Sequence, residues 1–569
     1  MNSKFIPVLV AILGLLSGSV NAQSSKNKGN VRIEWGEDIP LPKKHYPFGF
    51  AGNNTDGYVQ VAVKGKKEIS LIKIDPKLKS EGTETKPFPK SKYIVLDNIL
   101  EVGGRAFLLF SDYDKAANSE KLLAQEIDVK DGEFKGSPET LLATKNSKVT
   151  GTNVAAGYSM VVTEKFKIVL PDTGDRFLIY YRKKPEVKSD KKSFDKLVYN
   201  VFDFEMNLVW SKEVTMPYVE AEMKIQEHAI INDEVFIFAE TKSGQTFEKG
   251  KKTPVFDQLS VFKVTKDSKK IEEKELFLDK ESYIKEFVVG KGFGTSMLIS
   301  GYYKPSKKTF VYTGYYTAVF DPENMELSKI KKYEFKQDLI SSFESARTKR
   351  KLDKAIEKGK EIGIPYMVMR DVVKRPDGGW YMVGEQHHVT LTIEQSGKTT
   401  KYVWRFYYLD VLVSSISPDG EEEWITKLPK NQLSVYTTYG MGFGIPGMTS
   451  RPSEYYITSN YGSGVSSFVY GDNLYAFYMD NVKNKNIKES DNAAPFVNFK
   501  GSYLAGVRLT PDGQKEQNAL YDLKDENLNK VICPTTLVDM GDGILLSASK
   551  KGVAFFAKKN NTPALIYLQ

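Results

Sequence analysis

Short runs of Val, Ile, Leu, Phe and Tyr punctuate the chain, and each follows a turn signal built from Gly, Asp or Asn. Asp56-Gly57 precedes the apolar run 58–63, Gly103-Gly104 precedes 106–110, and Gly174-Asp175 precedes 177–181. Asn232-Asp233 stands before 235–238, and the glycines of 292–294 stand more weakly before 297–300. The device returns at Gly378-Gly379 before 380–383, Gly471-Asp472 before 474–478 and Asp542-Gly543 before 544–546. Gly, Asn and Asp accept the positive φ of tight hairpins, and β-branched and aromatic residues suit pleated surfaces, so each occurrence predicts a strand entered from a hairpin. The eight occurrences lie roughly 69 residues apart on average, which marks a repeat of one supersecondary unit.

A second signature follows seven of these strands: an apolar residue, then Asp, Ser or Thr, often with Pro and Gly after it. It reads Ile74-Asp75-Pro76, Ile127-Asp128, Phe202-Asp203, Val264-Thr265, Phe320-Asp321-Pro322, Ile416-Ser417-Pro418-Asp419-Gly420 and Leu509-Thr510-Pro511-Asp512-Gly513. Trp210 and Trp424 each stand seven residues beyond the polar residue of their copy. Pro fixes φ at the first corner, Asp accepts from the backbone and Gly supplies positive φ, so a second hairpin closes each unit.

An antiparallel sheet of three or four strands cannot bury both faces alone, and radial repetition lets each sheet pack on its neighbours. The expected fold class is therefore all-β, a β-propeller of eight blades with seven as the alternative. Tandem β-sandwiches would need interdomain linkers that the sequence lacks, and a β-solenoid would need far shorter turns. Val31–Trp35, with alternating faces, is expected to join the last unit and close the ring.

Two segments depart from the repeat. Residues 337–362 carry Leu339, Ile340, Phe343, Ala346, Leu352, Ala355 and Ile356 near helical spacing, which predicts one inserted helix with Arg347, Lys349, Arg350 and Lys351 along its middle. Residues 431–464 hold six glycines and the aromatics Tyr436, Tyr439, Phe443, Tyr455, Tyr456 and Tyr461 without a strand pattern, and predict a long loop. Both flank the sixth unit. The expected partner surface joins them, with Tyr439, Phe443, Tyr455 and Tyr456 as anchors beside Arg451, and Arg347 and Arg350 as rim charges.

Composition narrows the chemistry. The 569 residues hold 81 Lys+Arg against 72 Asp+Glu, one cysteine and four histidines. Cys533 alone excludes internal disulfides and cysteine-based metal clusters, and is expected to be a buried apolar residue. A net charge of +9 with acidic and basic residues interleaved gives no footprint for nucleic acid. Lys4, the apolar run 5–16 and the small residues Val20 and Ala22 form a signal peptide over 1–22, leaving 23–569 as a single propeller domain. A bilayer-spanning helix needs about 20 apolar residues, and no run reaches that.

Catalytic motifs are absent: no G-x-S-x-G, no Walker loop, no H-E-x-x-H. His387 and His388 cannot share a metal if they sit on a strand, because neighbouring residues point to opposite faces; one of them, with Glu385, could line a pocket. No cofactor and no metal site is expected. A glycosidase needs two carboxylates at a set separation, which is a spatial quantity.

The sixth unit, Arg375-Pro-Asp-Gly-Gly-Trp-Tyr-Met-Val-Gly-Glu-Gln386 followed by Tyr407-Tyr-Leu-Asp-Val-Leu-Val413, Pro418-Asp-Gly420, Trp424 and Leu428-Pro-Lys-Asn-Gln432, resembles a unit of exported, mostly uncharacterised β-propeller-like repeat proteins of Bacteroidota. The resemblance covers about 60 residues and implies a propeller in the cell envelope, without a catalytic residue to carry over. The expected address is the periplasm or the outer membrane without a membrane-spanning segment, with an extracellular destination also open. Two functions follow: a non-enzymatic binding or scaffold protein engaging an envelope protein or polysaccharide through loops around the sixth blade, or a carbohydrate-active hydrolase or lyase using carboxylates near the channel.

Overall fold

The computed structural model describes residues 25–568 apart from 29–30, 152, 156–160, 164, 172–173, 186, 188–191, 243–257, 277–282, 291–296, 306–308, 397–398, 442–453, 523–529, 532–536, 541–542 and 551–559. Residues 1–22, expected to form a signal peptide, and Cys533, Phe443 and Arg451 lie outside the described residues.

Every turn signal read from the sequence precedes the second strand of a sheet. The first sheet runs Tyr46–Asn53, Gly57–Lys64, Glu68–Ile74 and Ser80–Pro87, each strand antiparallel to the last. The same order repeats in a second sheet from Val95–Val102, a third from Phe166–Val169, a fourth from Met223–Ile231 and a fifth from Tyr283–Gly290. A sixth begins at Met367–Lys374 and a seventh at Ser466–Tyr470. The second signature closes the turn between third and fourth strands. In all seven copies the polar side chain accepts a backbone N–H from within its own turn, as Asp75 Oδ1 does from Lys79 at 2.7 Å and Thr510 Oγ1 from Gln514 at 3.0 Å. Gly420 and Gly513, both at φ +83°, occupy corners that a β-carbon would strain.

The eighth sheet is assembled from both chain ends. Ile544–Lys550 pairs with Asn560–Leu568, which pairs in turn with Val31–Trp35, so that Ile33 faces Ile566 across the ladder. Ring closure thus rests on backbone hydrogen bonds between residues more than 500 positions apart in sequence.

Successive sheets share apolar cores because alternate residues of a strand face opposite neighbours. Val59, Val61 and Val63 pack with Leu96, Leu108 and Phe110 of the second sheet, whereas Tyr58 and Ala62 pack with Leu545 and Leu565 of the eighth. Equivalent cores join the second sheet to the third and each later sheet to its successor, ending with Trp35 against Tyr521 at 5.0 Å between the eighth and seventh. The chain of interfaces returns to its start, and the fold is an all-β propeller.

The insertion at 337–362 holds two helices where the periodicity suggested one: α1 (Gln337–Ser341) and α2 (Ala346–Glu357). Phe343 takes φ +58° between them, and Ser345 caps α2 by accepting from Thr348 N at 3.2 Å. Phe343 leaves the helical line because it is buried under Lys515 of the seventh sheet, 5.6 Å from ring centre to ammonium. The segment 431–464 is likewise no simple loop. Gln432–Met441 is a strand paired with the sixth sheet, and Glu454–Tyr461 forms α3. The strand escaped notice because its buried positions, Gln432 and Ser434, are polar.

Candidate functional site

Antiparallel order sorts the turns onto two edges of the ring. Turns joining strands one to two and three to four leave at one edge, and these are the short, regular ones marked in the sequence. Turns joining strands two to three, and the connections between sheets, leave at the other edge. Both insertions lie there, which makes it the face where side chains vary without disturbing the packed sheets.

The sixth sheet dominates that face. Its second and third strands, Trp380–Ser396 and Thr399–Ile416, span 17 and 18 residues, where the equivalents in the first sheet span 8 and 7. Residues 380–385 pair with 411–416 inside the ring; beyond a bulge at Glu385/His387, residues 387–396 pair with 399–408 outside it. Gln432–Met441 joins the outer half, giving a three-stranded extension. On one surface of the extension α3 drops Ile457 onto Phe406 and Tyr408, with Val389, Trp404, Tyr436 and Tyr461 packed around them. Farther along the same surface Leu391 and Ile393 stay exposed, Ile393 at 58%. On the opposite surface His388 stacks on Tyr407 at 4.4 Å and on Tyr366 at 4.5 Å, and Tyr366 stacks on Phe310, which is 67% exposed. Val435 and Tyr439, the latter 57% exposed, share that side.

A buried charge network anchors the extension at its base. Glu385 and Lys430 have no exposed side-chain surface and meet at 2.5 Å. Arg370 donates to the other oxygen of Glu385 at 2.8 Å through Nε, and its Nη2 lies 2.8 Å from Glu454 of α3. Lys430 Nζ also donates to Gln432 Oε1 at 3.2 Å, which in turn accepts from Gly464 N at 2.8 Å. Burial raises the Glu385 carboxyl, but the two adjacent cations outweigh it and hold the group below its ordinary value. Burial depresses the Lys430 ammonium against the pull of Glu385. Beside this network Lys427 Nζ lies 3.7 Å from Asp410 and donates to the carbonyls of Ile340 and Ser342, tying α1 to the same sheet.

His387 stacks on Tyr408 at 4.5 Å, with Nδ1 3.0 Å from the Tyr407 carbonyl oxygen. The two histidines therefore stand on opposite surfaces, each held by a tyrosine, and burial lowers both below the ordinary imidazole value. Among the described residues, no group of three or more His, Cys, Asp or Glu could hold a metal ion.

The ring centre is a cavity of about 710 Å³ lined by first strands of several sheets. Glu227, Asp371 and Asp539 face it together with Lys374 and Tyr470, and Ser467 Oγ donates to Asp371 at 3.1 Å.

The residues named from sequence are distributed across this face. Tyr439 is exposed on the extension, and Tyr455 and Tyr456 lie on α3. Arg347 and Arg350 are exposed on α2, whose Lys349 donates to the Glu489 carbonyl of the seventh sheet at 3.4 Å. α2 thus leans toward the seventh sheet, whereas α3 is bound to the sixth through Arg370. Sequence reading passed over Arg370, Lys430 and Glu454, and the exposed pair Leu391 and Ile393. The alternation of 389, 391 and 393 with polar neighbours was present, but nothing showed that this strand outruns the ring.

No protein-family model matches the chain, and no curated protein matches it. Among solved structures the chain is similar to the WD40 domain of SCAP from fission yeast, at 10% identity over 95% of this chain and 98% of that one, with a TM-score of 0.36. It is also similar to the Synechocystis apocarotenoid oxygenase, at 10% identity over 74% and 97% of the two chains, with a TM-score of 0.28. Likeness at this level carries no argument about activity, and the propeller assignment rests on the chain's own sheets. Among the described residues no helix is long and apolar enough to cross a membrane.

Proposed function

We propose that this protein is an exported, non-enzymatic propeller of eight blades that serves as a binding scaffold in the cell envelope, and that it grips a protein partner with the extension of its sixth blade. The observation that carries the reading is the exposed apolar surface on and beside the extension: Leu391 and Ile393 on one of its surfaces, Val435 and Tyr439 on the other, with Tyr366 and Phe310 stacked in a row from His388 on that second side. Exposed apolar groups gathered in this way mark interaction sites on folded proteins. The network of Glu385, Lys430 and Arg370 supplies the rigidity that limits the entropy lost on docking. Export rests on the pattern of residues 1–22, and recovery of a mature chain starting at Gln23 from the periplasm of an expressing cell is its test.

The binding test places a photo-crosslinking residue at Ile393 and, as control, at Lys121 on the second sheet. Specific adducts from position 393 with an envelope protein, lost in a Leu391→Asp/Tyr439→Ala background of unchanged Tm, support the reading. Equal adducts from both positions overturn it. The carboxylates facing the channel leave the hydrolase or lyase as the second reading; turnover of an acidic or neutral polysaccharide that disappears in Asp371→Asn would establish it.

A further inference from the structure

A second cavity, of about 700 Å³, opens on the same edge of the ring between the first, second and third sheets. We propose that it binds an anionic carbohydrate, a sugar carrying carboxylate or phosphate groups. The inference is independent of the sixth-blade reading, since it uses none of those residues.

Charge is the first argument. Lys66, Lys92, Lys115, Lys148, Lys165 and Lys184 all line the cavity, and among the described residues Glu120 is the one carboxylate lining it. Over the whole chain basic and acidic residues are nearly balanced, 81 against 72, so six against one is a local departure. The lysines come from five different connections of three sheets, which only the ring brings together. Glu120, 3% exposed, is used up by Lys165, whose Nζ lies 3.0 and 3.1 Å from its two oxygens. The other five ammoniums have no carboxylate at ion-pair distance among the described residues. Burial, with added repulsion from Lys165, holds Lys66 below its ordinary value although Asp112 pulls the other way. Like charges converging on one concavity raise the energy of the empty site, and an entering anion relieves it.

Shape and aromatic content select the ligand. Tyr93, 39% exposed, meets Tyr113 edge to face at 5.6 Å, and Lys148 Nζ sits 4.6 Å over the Tyr113 ring. The exposed Tyr93 ring, propped by Tyr113 and flanked by ammonium groups, is an aromatic wall for the C–H face of one sugar ring whose acidic substituents reach the lysines. A bare phosphate needs no such wall, and a duplex nucleic acid needs an extended surface in place of a pocket of small-ligand volume. Among the described residues no arginine lines the cavity, so recognition is by movable point charges, which fit acidic groups at variable positions along a glycan.

The test is isothermal titration of the full mature protein with trigalacturonate, glucose 1,6-bisphosphate, neutral maltotriose and tripolyphosphate. Binding of at least one acidic sugar, no binding of maltotriose, and affinity that falls with added salt are expected. The Lys92→Ala/Lys115→Ala/Lys184→Ala variant, exposed at all three positions and so of unchanged Tm, should bind at least tenfold more weakly. Tyr93→Ala should weaken the acidic sugar severalfold and leave tripolyphosphate unchanged. Equal binding of maltotriose, undiminished binding by the triple lysine variant, or binding of tripolyphosphate without either acidic sugar would each overturn the proposal.

Discussion

Lys430 and Glu385 form an ion pair of 2.5 Å from which solvent is wholly excluded, at the point where the sixth sheet leaves the ring. Removing one charge of such a pair strands the other in a medium that solvates it poorly, at a cost of about 3–5 kcal/mol. Glu385→Gln is therefore expected to lower stability by several kcal/mol in urea denaturation. Because Arg370 would also lose its partner, Lys430→Met should cost less, and the double variant Glu385→Gln/Lys430→Met should recover part of the Glu385→Gln loss. A double-variant cost equal to the sum of the two single costs would show that the pair is not coupled.

Arg370 connects this network to α3. Arg370→Ala is expected to raise amide exchange over Glu454–Tyr461 while leaving the first sheet protected, since Glu454 then loses its 2.8 Å ion pair and the start of α3 keeps only the longer contact with His387, at 3.9 Å, beside the packing of Ile457 and Tyr461. Hydrogen-exchange mass spectrometry reads the difference.

Asp480 gives a pH signature. It is fully buried and bonded by Asn484, Asn481 and Tyr503, and burial pushes its carboxyl up to about 7. Below roughly pH 4 the group is protonated folded or unfolded. Between there and about 7 the folded chain keeps the proton that the unfolded chain releases, so this residue's contribution to stability falls as pH rises, by at most about 1.4 kcal/mol per pH unit. Asp480→Asn removes the slope. Denaturation of both proteins from pH 4 to 8 should show the wild type losing ground to the variant up to about pH 7 and none beyond.

Gly384 sits where the fifth and sixth sheets pack, and a β-carbon there would collide with the Tyr302 hydroxyl. Gly384→Ala is expected to cost about 1–3 kcal/mol through overpacking. Adding Tyr302→Phe removes the colliding oxygen and should return part of that cost in a double-mutant cycle.

Trp210 and Trp424 each reach across to the next sheet, Trp210 Nε1 donating to the Asp233 carbonyl at 3.1 Å and Trp424 Nε1 to that of Pro511 at 2.8 Å. Trp424→Phe keeps an aromatic ring but deletes the donor together with part of the indole packed at Gly513, leaving a carbonyl short of its partner, and should lower stability by about 1–3 kcal/mol. A thermal melt indistinguishable from wild type would mean that water replaces the indole.

The sequence by itself determined the repeat, its turns and the strand that closes it. Turn chemistry is local: Asp75, Asp203 and Thr510 accept backbone N–H groups four residues away, and the glycines at 420 and 513 answer a backbone angle, so both can be read without knowing what lies across the ring. Alternation on Val31–Trp35 is local as well. The extension was hidden because strand length depends on whether a neighbour continues the pairing, and that neighbour, Gln432–Met441, carries polar residues on its buried side. The break between α1 and α2 depends on Phe343 finding Lys515, 172 positions on in sequence. Likewise Glu385, Lys430, Arg370 and Glu454 look like ordinary surface charges in a chain rich in them. Only the closed ring, by burying some charges together and converging others around an open cavity, decided which ones matter.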